Sequence, residues 1–275
     1  MKLGAALMDA QAVLAAASDS PRLDAELLLG EVLSLSRAQI FSRLHDEIAE
    51  ADAQRFAALV RRRRRGEPVA YLSGRQGFWT LDLEVTPDVL VPRPETELLV
   101  AWALECRPPQ GEADVVDLGT GSGAIALALA SARPAWRLTA SDVSAAALAV
   151  ARRNARHAGL RIEFAEGSWW APFAGRTFDL AVANPPYIAR HDPHLHALRH
   201  EPMLALTDGA DGLQALREIV AGAGAHLRPG AWLLVEHGYD QGEAVRALFA
   251  AAGFIDIGTR RDLENRERSS GGRRP

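Results

Sequence analysis

Asp117-Leu118-Gly119-Thr120-Gly121-Ser122-Gly123 closes the apolar run Ala113 to Leu118 and opens a stretch of small apolar residues, Ala124 to Ala132. The run reads as a buried strand and the stretch as a helix, so the glycines occupy a strand-to-helix turn. Glycine lets such a turn close tightly and lets a ligand approach the backbone. A second strand, Arg137 to Ala140, ends at Ser141-Asp142. Asp142 lies roughly twenty residues past the turn, where an acid can accept from both hydroxyls of a ribose. These features predict an α/β fold with an open, mostly parallel sheet, binding a ligand at the C-terminal edge of its strands.

The glycines alone leave that ligand open. Gly119-x-Gly121-x-x-Ala124 also satisfies a loose dinucleotide fingerprint, so a nicotinamide enzyme stays in view. Two details point elsewhere. Asp117 stands just ahead of the first glycine, next to where an amino-acid ammonium would sit. No lysine or His-Asp pair downstream is arranged for hydride transfer. S-adenosyl-L-methionine fits better, with its ribose at Asp142 and its methionine end at the turn.

Downstream, Ala145 to His157 reads as a helix and Ile162 to Phe164 as the third strand, followed by Ser168-Trp169-Trp170. A tryptophan just past a strand either stacks beside an adenine or closes the core. Phe178 to Ala183 is the central strand, and the breaker pair Asn184-Pro185 stops it. Pro185 and Pro186 fix two φ angles and remove two N–H donors, leaving the carbonyls of Asn184 and Pro185 without ladder partners. Asn184-Pro185-Pro186-Tyr187 therefore offers an amide oxygen, adjacent backbone carbonyls and a flat ring, which suits a substrate presenting a planar NH2 group. By themselves these four residues read more readily as a proline-rich loop ending a strand; the glycine turn upstream overturns that reading.

The loop between Ile188 and Thr207 carries His191, His194, His196 and His200. Their spacing gives no ligand pair on one helix face, so a solvated lid is expected and no metal site. Leu213 to His226 reads as a helix, Trp232 to Glu236 as a fifth strand ending in Glu236-His237-Gly238, Glu243 to Ala252 as a helix and Phe254 to Ile257 as a strand. From Arg266 the tail is Arg, Ser and Gly with no apolar residue, so any last edge strand there should be weak.

The first third holds no recognisable chemistry. Leu3 to Ala17, Leu23 to Leu33, Ser36 to Arg43 and Ala51 to Arg65 read as helices, with Pro21 starting the second and Leu23, Leu27 and Leu28 on its apolar face. Arg61 to Arg65 closes the fourth helix, where positive charge matches the dipole; a dock for an acidic partner or RNA is the sharper alternative. Partial alternation at Phe78, Leu81, Leu83 and Val85, with Val89, Leu90 and Val91 after Pro87, predicts a hairpin joining two domains. Pro92-Arg93-Pro94-Glu95-Thr96-Glu97 stiffens the entry to a helix running to Cys106. The expected boundaries are 1–72 for a helical, substrate-docking domain, 73–93 for the hairpin linker and 94–275 for the catalytic domain.

The 275 residues are 48% hydrophobic and 24% charged, which fits a globular chain with a large core. Net charge is −4, which argues against an overall basic nucleic-acid binder. Lys2 is the only lysine, a bias of composition rather than of function. Cys106 is the only cysteine, so no internal disulfide or cysteine metal cluster is expected. No long apolar run suggests a signal peptide or a membrane span, so a cytoplasmic, monomeric protein is the expectation.

Taken together, the residues resemble the release factor glutamine methyltransferase family, within the class I adenosylmethionine-dependent methyltransferases. The likeness is carried by Ser20-Pro21-Arg22-Leu23-Asp24-Ala25-Glu26, Gly66-Glu67-Pro68, Tyr71-Leu72-Ser73-Gly74, Phe78-Trp79, Pro92 to Glu97, the Asp117 to Gly123 turn, Asn184 to Tyr187 and Glu236-His237-Gly238. It implies a Rossmann-like class I methyltransferase sheet with a small N-terminal helical bundle joined by a β-hairpin. It implies that Gly119, Thr120, Gly121, Ser122, Gly123, Asp142, Trp169 and Asn184 contact S-adenosyl-L-methionine. Asn184, Pro185, Pro186 and Tyr187 would then hold the glutamine of a Gly-Gly-Gln motif in peptide-chain release factors, with Asn184, Pro185 and Tyr187 catalytic. A ribosomal-protein glutamine and a nucleic-acid adenine are the alternative methyl acceptors. Ser168 stands where the family often has an acid, and the tail lacks the family's usual apolar strand.

Overall fold

The computed structural model describes residues 1–275 and divides them into two units, Met1–Arg75 and Gln76–Pro275. The first is helical: α1 (Leu3–Leu14), α2 (Pro21–Leu33), α3 (Arg37–Ser42), α4 (Glu50–Arg64) and α5 (Val69–Ser73). Pro21 sits in the first turn of α2, and Ser36 caps α3 in a reciprocal box with Gln39. The core gathers Leu7, Leu14, Leu28, Leu29, Ile40, Phe56 and Val60. On α2 the buried set is Ala25, Leu28 and Leu29, whereas Leu23 and Leu27 remain 37% and 41% exposed. The expected apolar face was therefore rotated. The leucines of α2 cover more than one face, and the face that turns inward also carries Asp24 and Glu26. Their burial is made tolerable by Arg63 Nε, 2.6 Å from Asp24, and by Arg22 and Arg37, 2.6 and 2.8 Å from Glu26. One arginine of the run at 61–65 thus serves inside its own unit, and Arg62 pairs with Glu67.

The second unit starts with a hairpin, β1 (Arg75–Phe78) and β2 (Leu81–Glu84), turned through Trp79 at φ 57°. The Trp79 N–H donates to Glu97 at 2.7 Å, and Phe78 and Leu83 are buried in this unit's core, so the hairpin is built into the sheet unit. Val89 to Val91 forms no strand and runs as coil to a 3-10 turn, Pro94–Thr96. Then come α6 (Glu97–Glu105), β3 (Asp114–Leu118), α7 (Ala124–Ala132), β4 (Arg137–Asp142), α8 (Ala145–Ala158), β5 (Ile162–Glu166) and β6 (Phe178–Ala183). The chain continues through α9 (Met203–Leu206), α10 (Gln214–His226), β7 (Leu227–Glu236), α11 (Gly242–Ala251), β8 (Ile255–Arg261) and β9 (Glu267–Arg273).

The seven-stranded sheet has the order β5-β4-β3-β6-β7-β9-β8, with β9 antiparallel to both neighbours and the other pairings parallel. Helices cover both faces, which is why the central strands are apolar without alternation. Val115, Leu180 and Val182 pack with α6 and α7 on one side; Val116, Leu118, Ala181 and Ala183 pack with α10 and α11 on the other. From β3 the chain goes to β4 on one side and later returns as β6 on the other. That switch opens a crevice beyond the strand ends. Register places the key residues there: Leu118 pairs with Ser141 and with Ala183, so Gly119, Asp142 and Asn184 leave the sheet side by side.

The tail departs from expectation. The polar segment forms β9, an inner strand between β7 and β8, and β8 is the edge. Its missing apolar side chains are supplied by its neighbours. A Cβ on Gly271 would lie 2.4 Å from Leu234 Cδ2, and one on Gly272 would lie 3.0 Å from both Phe249 and Phe254. Ser270 Oγ bonds His237 Nε2 at 2.8 Å and Thr259 Oγ1 at 2.7 Å, and ladders on both sides satisfy the backbone.

Candidate active site

The glycine turn is shaped by backbone angles that side chains resist. Gly119, Gly121 and Gly123 have φ of 75°, 56° and 87°. The N–H groups of Gly119 and Thr120 both donate to Ser141 O, at 2.9 and 2.8 Å, which moors the turn to the end of β4. A Cβ on Gly123 would meet Leu127 and Ala151 at 3.0 and 3.3 Å, so Gly123 packs the turn against α7 and α8. A Cβ on Gly121 would meet nothing, so its backbone stands open.

Behind the turn, Asp117 is fully buried. Thr120 Oγ1 donates to its Oδ2 at 2.6 Å and the Ala126 N–H at 3.3 Å, while Oδ1 has no partner. Burial pushes this carboxyl up to about 7, against those two donors, and the Asp142 charge adds to the rise. Asp117 holds the turn from behind and does not line the cavity described next.

That cavity, of about 380 Å³, lies at the strand ends. Gly119, Thr120, Gly121, Ser122, Asp142, Trp169, Asn184 and Pro186 all line it. Of the expected site residues, Gly123, Pro185 and Tyr187 do not. Asp142 accepts from the Gly121 N–H at 2.8 Å and the Ser144 N–H at 2.9 Å, leaving each carboxylate oxygen a further lone pair. Burial raises its carboxyl above the ordinary value, and the backbone donors oppose that rise. The two tryptophans are placed differently. Trp169 faces the cavity at φ 43°, its ring over bare Gly119 and its Nε1 donating to Glu218 at 3.1 Å. Trp170 is core, stacked on His226 with centroids 5.0 Å apart.

Asn184 Nδ2 donates to Thr96 Oγ1 at 3.2 Å. Tyr187 turns its hydroxyl to Glu236 Oε1, also at 3.2 Å, and burial raises its phenol. Glu236 is 1% exposed, and burial pushes its carboxyl up to about 7 while the Thr96 and Tyr187 hydroxyls oppose the rise. Thr96 and Glu236 are residues that the sequence reading did not place at the site, although both fall within motifs quoted above. Arg93 also lines the cavity and pairs with buried Glu201, which accepts from the Val91 N–H at 3.1 Å. Beyond Glu201, the segment Pro202 to Asp208 covers the cavity with Leu204, Ala205 and Thr207. None of His191, His194, His196 and His200 lines it; His194 Nδ1 instead contacts Asp192 at 2.6 Å.

The sequence of the chain matches known proteins along both units. Residues 5–74 match the PrmC N-terminal domain family, and residues 96–252 match the Methyltransferase small domain family. A release factor glutamine methyltransferase of Xylella fastidiosa (strain Temecula1) is 53% identical over 268 residues, which is 96% of this chain and 98% of that protein. The enzyme of that name from Escherichia coli (strain K12) is 44% identical, covering 94% of each chain. Among solved structures, a methyltransferase from Pyrococcus furiosus shares the fold with a TM-score of 0.55 at 18% identity, over 70% of this chain and 88% of that one. With both domains matched in order and likeness to curated relatives over nearly its whole length, the chain belongs to the release factor glutamine methyltransferase family.

Proposed function

We propose that this chain transfers a methyl group from S-adenosyl-L-methionine to the side-chain amide nitrogen of the glutamine in the Gly-Gly-Gln motif of peptide-chain release factors. The observation that carries the reading is one cavity shared by the glycine turn, Asp142 and Asn184. The residues fit the donor. The open backbone of Gly121 admits its methionine end, the spare lone pairs of Asp142 suit ribose hydroxyls, and Trp169 offers a ring face for adenine. When bound, the donor supplies an electrophilic methyl on a cationic sulfur.

The chain's own task is to position a poor nucleophile, since a carboxamide lone pair is delocalised. In this reading Asn184, which lines the cavity, accepts one N–H of the glutamine at Oδ1 and holds its nitrogen toward the methyl; the carbonyl of Pro185, which stands outside the cavity lining, is the proposed second acceptor. Tyr187 steadies the loop from behind through Glu236, since its ring does not line the cavity. Held there, the glutamine nitrogen would take the methyl and lose a proton to water, with the electron pair of the donor's carbon–sulfur bond staying on sulfur. Purified enzyme incubated with labelled donor and release factor, ribosomes or nucleic acid tests the reading. Label is expected on release factor, and label on ribosomes or nucleic acid alone overturns it.

A further inference from the structure

We propose that Gln241 is a positioning residue for methyl transfer, its carboxamide clamping the far end of Asn184-Pro185-Pro186-Tyr187 to the turn that follows β7. The proposal rests on the reading of that loop as the holder of the glutamine amide.

Three backbone segments meet at this one side chain. Gln241 stands between β7 and α11, and its backbone N–H donates to Gly238 O at 3.0 Å. The side chain closes the same turn, because its Oε1 accepts from the Gly238 N–H at 2.8 Å. Its Nε2 donates to Tyr187 O at 3.0 Å and to Gly212 O at 3.2 Å. The opposite amide orientation would set N–H against N–H and oxygen against two carbonyls, so the network admits only this one. The approach is also close. Gly212 has φ 80°, and a Cβ there would lie 2.4 Å from Tyr187 O and 3.0 Å from Gln241 Nε2.

The clamp bears on the site in two ways. The near end of the loop is fixed by the sheet, where Ala183 pairs with Leu118 and Val235. Pro185 and Pro186 fix two φ angles inside the loop. With Tyr187 O held as well, the Asn184 amide and the Pro185 carbonyl have little room to turn. Gly212, in turn, is tied to the cover of the cavity: its N–H donates to Asp208 Oδ1 at 3.1 Å, and Asp208 lines the cavity. The two segments also bond each other, Ile188 N–H to Leu206 O and Arg190 N–H to Ala210 O, both at 3.0 Å. Gln241 does not line the cavity, so it acts through these segments. A carboxamide nucleophile depends on placement, and a displacement of about 1 Å can cost about a hundredfold in rate.

The test uses two variants of the full-length protein. Gln241→Met matches the length and removes the amide's oxygen and both donors; Gln241→Glu keeps an acceptor and removes both donors. Amide hydrogen exchange is read by NMR in nitrogen-labelled, donor-free protein. Alongside it, kcat and KM with release factor, donor affinity and thermal melts are measured. In both variants the Ile188 and Arg190 amides are expected to exchange about tenfold faster or more. Turnover, kcat, should fall by about tenfold or more, with donor affinity within about threefold. The Gly238 amide should lose protection in Gln241→Met and keep it in Gln241→Glu. Unchanged exchange at Ile188 and Arg190 overturns the proposal. So does a kcat within about twofold of wild type in both variants, whatever their melting temperatures, or a loss of donor affinity as large as the loss of turnover. The exchange arm needs no substrate: faster exchange at Ile188 and Arg190, with no methylation of release factor by wild type, supports the clamp and sinks the substrate reading.

Discussion

Asn184 can act as an acceptor because its amide nitrogen is already committed to Thr96. Replacing it with alanine removes the oxygen proposed to hold the substrate but little of what is proposed to hold the donor. Asn184→Ala should abolish methyl transfer and leave donor affinity within roughly tenfold, since one neutral hydrogen bond is worth about 1 kcal/mol. Single-turnover assays and calorimetry check the two halves separately. Asp142 has the opposite profile, because it lines the cavity on the side proposed for the donor and also holds the Gly121 N–H. Asp142→Ala should weaken donor binding by about tenfold to a hundredfold, the range for hydrogen bonds to a charged group. An unchanged dissociation constant would contradict the ribose role proposed for it. Glu236 adds a signature in stability. Its folded-state carboxyl is raised from 4.5 to about 7, so above the unfolded value the unfolded chain gives up its proton first. Stability from this group is therefore present below about 4.5 and is lost as pH rises toward 7. Glu236→Gln should gain stability relative to wild type across that window, by up to about 3 kcal/mol, and denaturant melts at pH 5 and pH 8 read the difference. Asn184 and Asp142 were legible because a breaker dipeptide and a strand-end acid are local patterns. Thr96 and Glu236 were not, because the register of β6 against β7 brings Glu236 beside Asn184, and Thr96 reaches Asn184 from a distant turn of the chain.

Among the elements, β9 shows why composition can hide a strand. Gly271 and Gly272 leave room for Leu234, Phe249 and Phe254, so the apolar volume belongs to the neighbours. A reading that looks for apolar residues within a strand sees only Arg, Ser and Gly. The Gly271→Ala change should destabilise by about 1–3 kcal/mol, the usual range for overpacking. Gly258→Ala on the edge strand, where a Cβ meets nothing, is the control and should stay within about 0.5 kcal/mol. Thermal melts of the two variants decide whether β9 is packed as described. Elsewhere the elements were readable: α7 and β6 lie at the expected residues because a glycine turn and an Asn-Pro step mark their ends. On α2 the existence of the helix was legible and its buried face was not, since that face depends on Arg63, Arg22 and Arg37 reaching Asp24 and Glu26.

At the level of the whole chain, each unit has its own buried core, and the cavity is lined entirely by the second. No helix is long and apolar enough to cross a membrane. A fragment of residues 76–275 is expected to fold, to bind S-adenosyl-L-methionine within about tenfold of the full chain, and to lose most turnover on release factor if the helical unit docks the substrate. Circular dichroism, calorimetry and methyl transfer on the same fragment check those outcomes; full turnover by the fragment would remove the docking role. The central claim is that one cleft joins a sulfonium donor to a glutamine carboxamide by way of Asn184. Mass spectrometry of release factor peptides, before and after incubation with donor and either wild-type or Asn184→Ala enzyme, tests it most directly. A single methyl on the glutamine of Gly-Gly-Gln with wild type, and none with the variant, is the expected result. A methyl on another residue, or equal methylation by both enzymes, would contradict it.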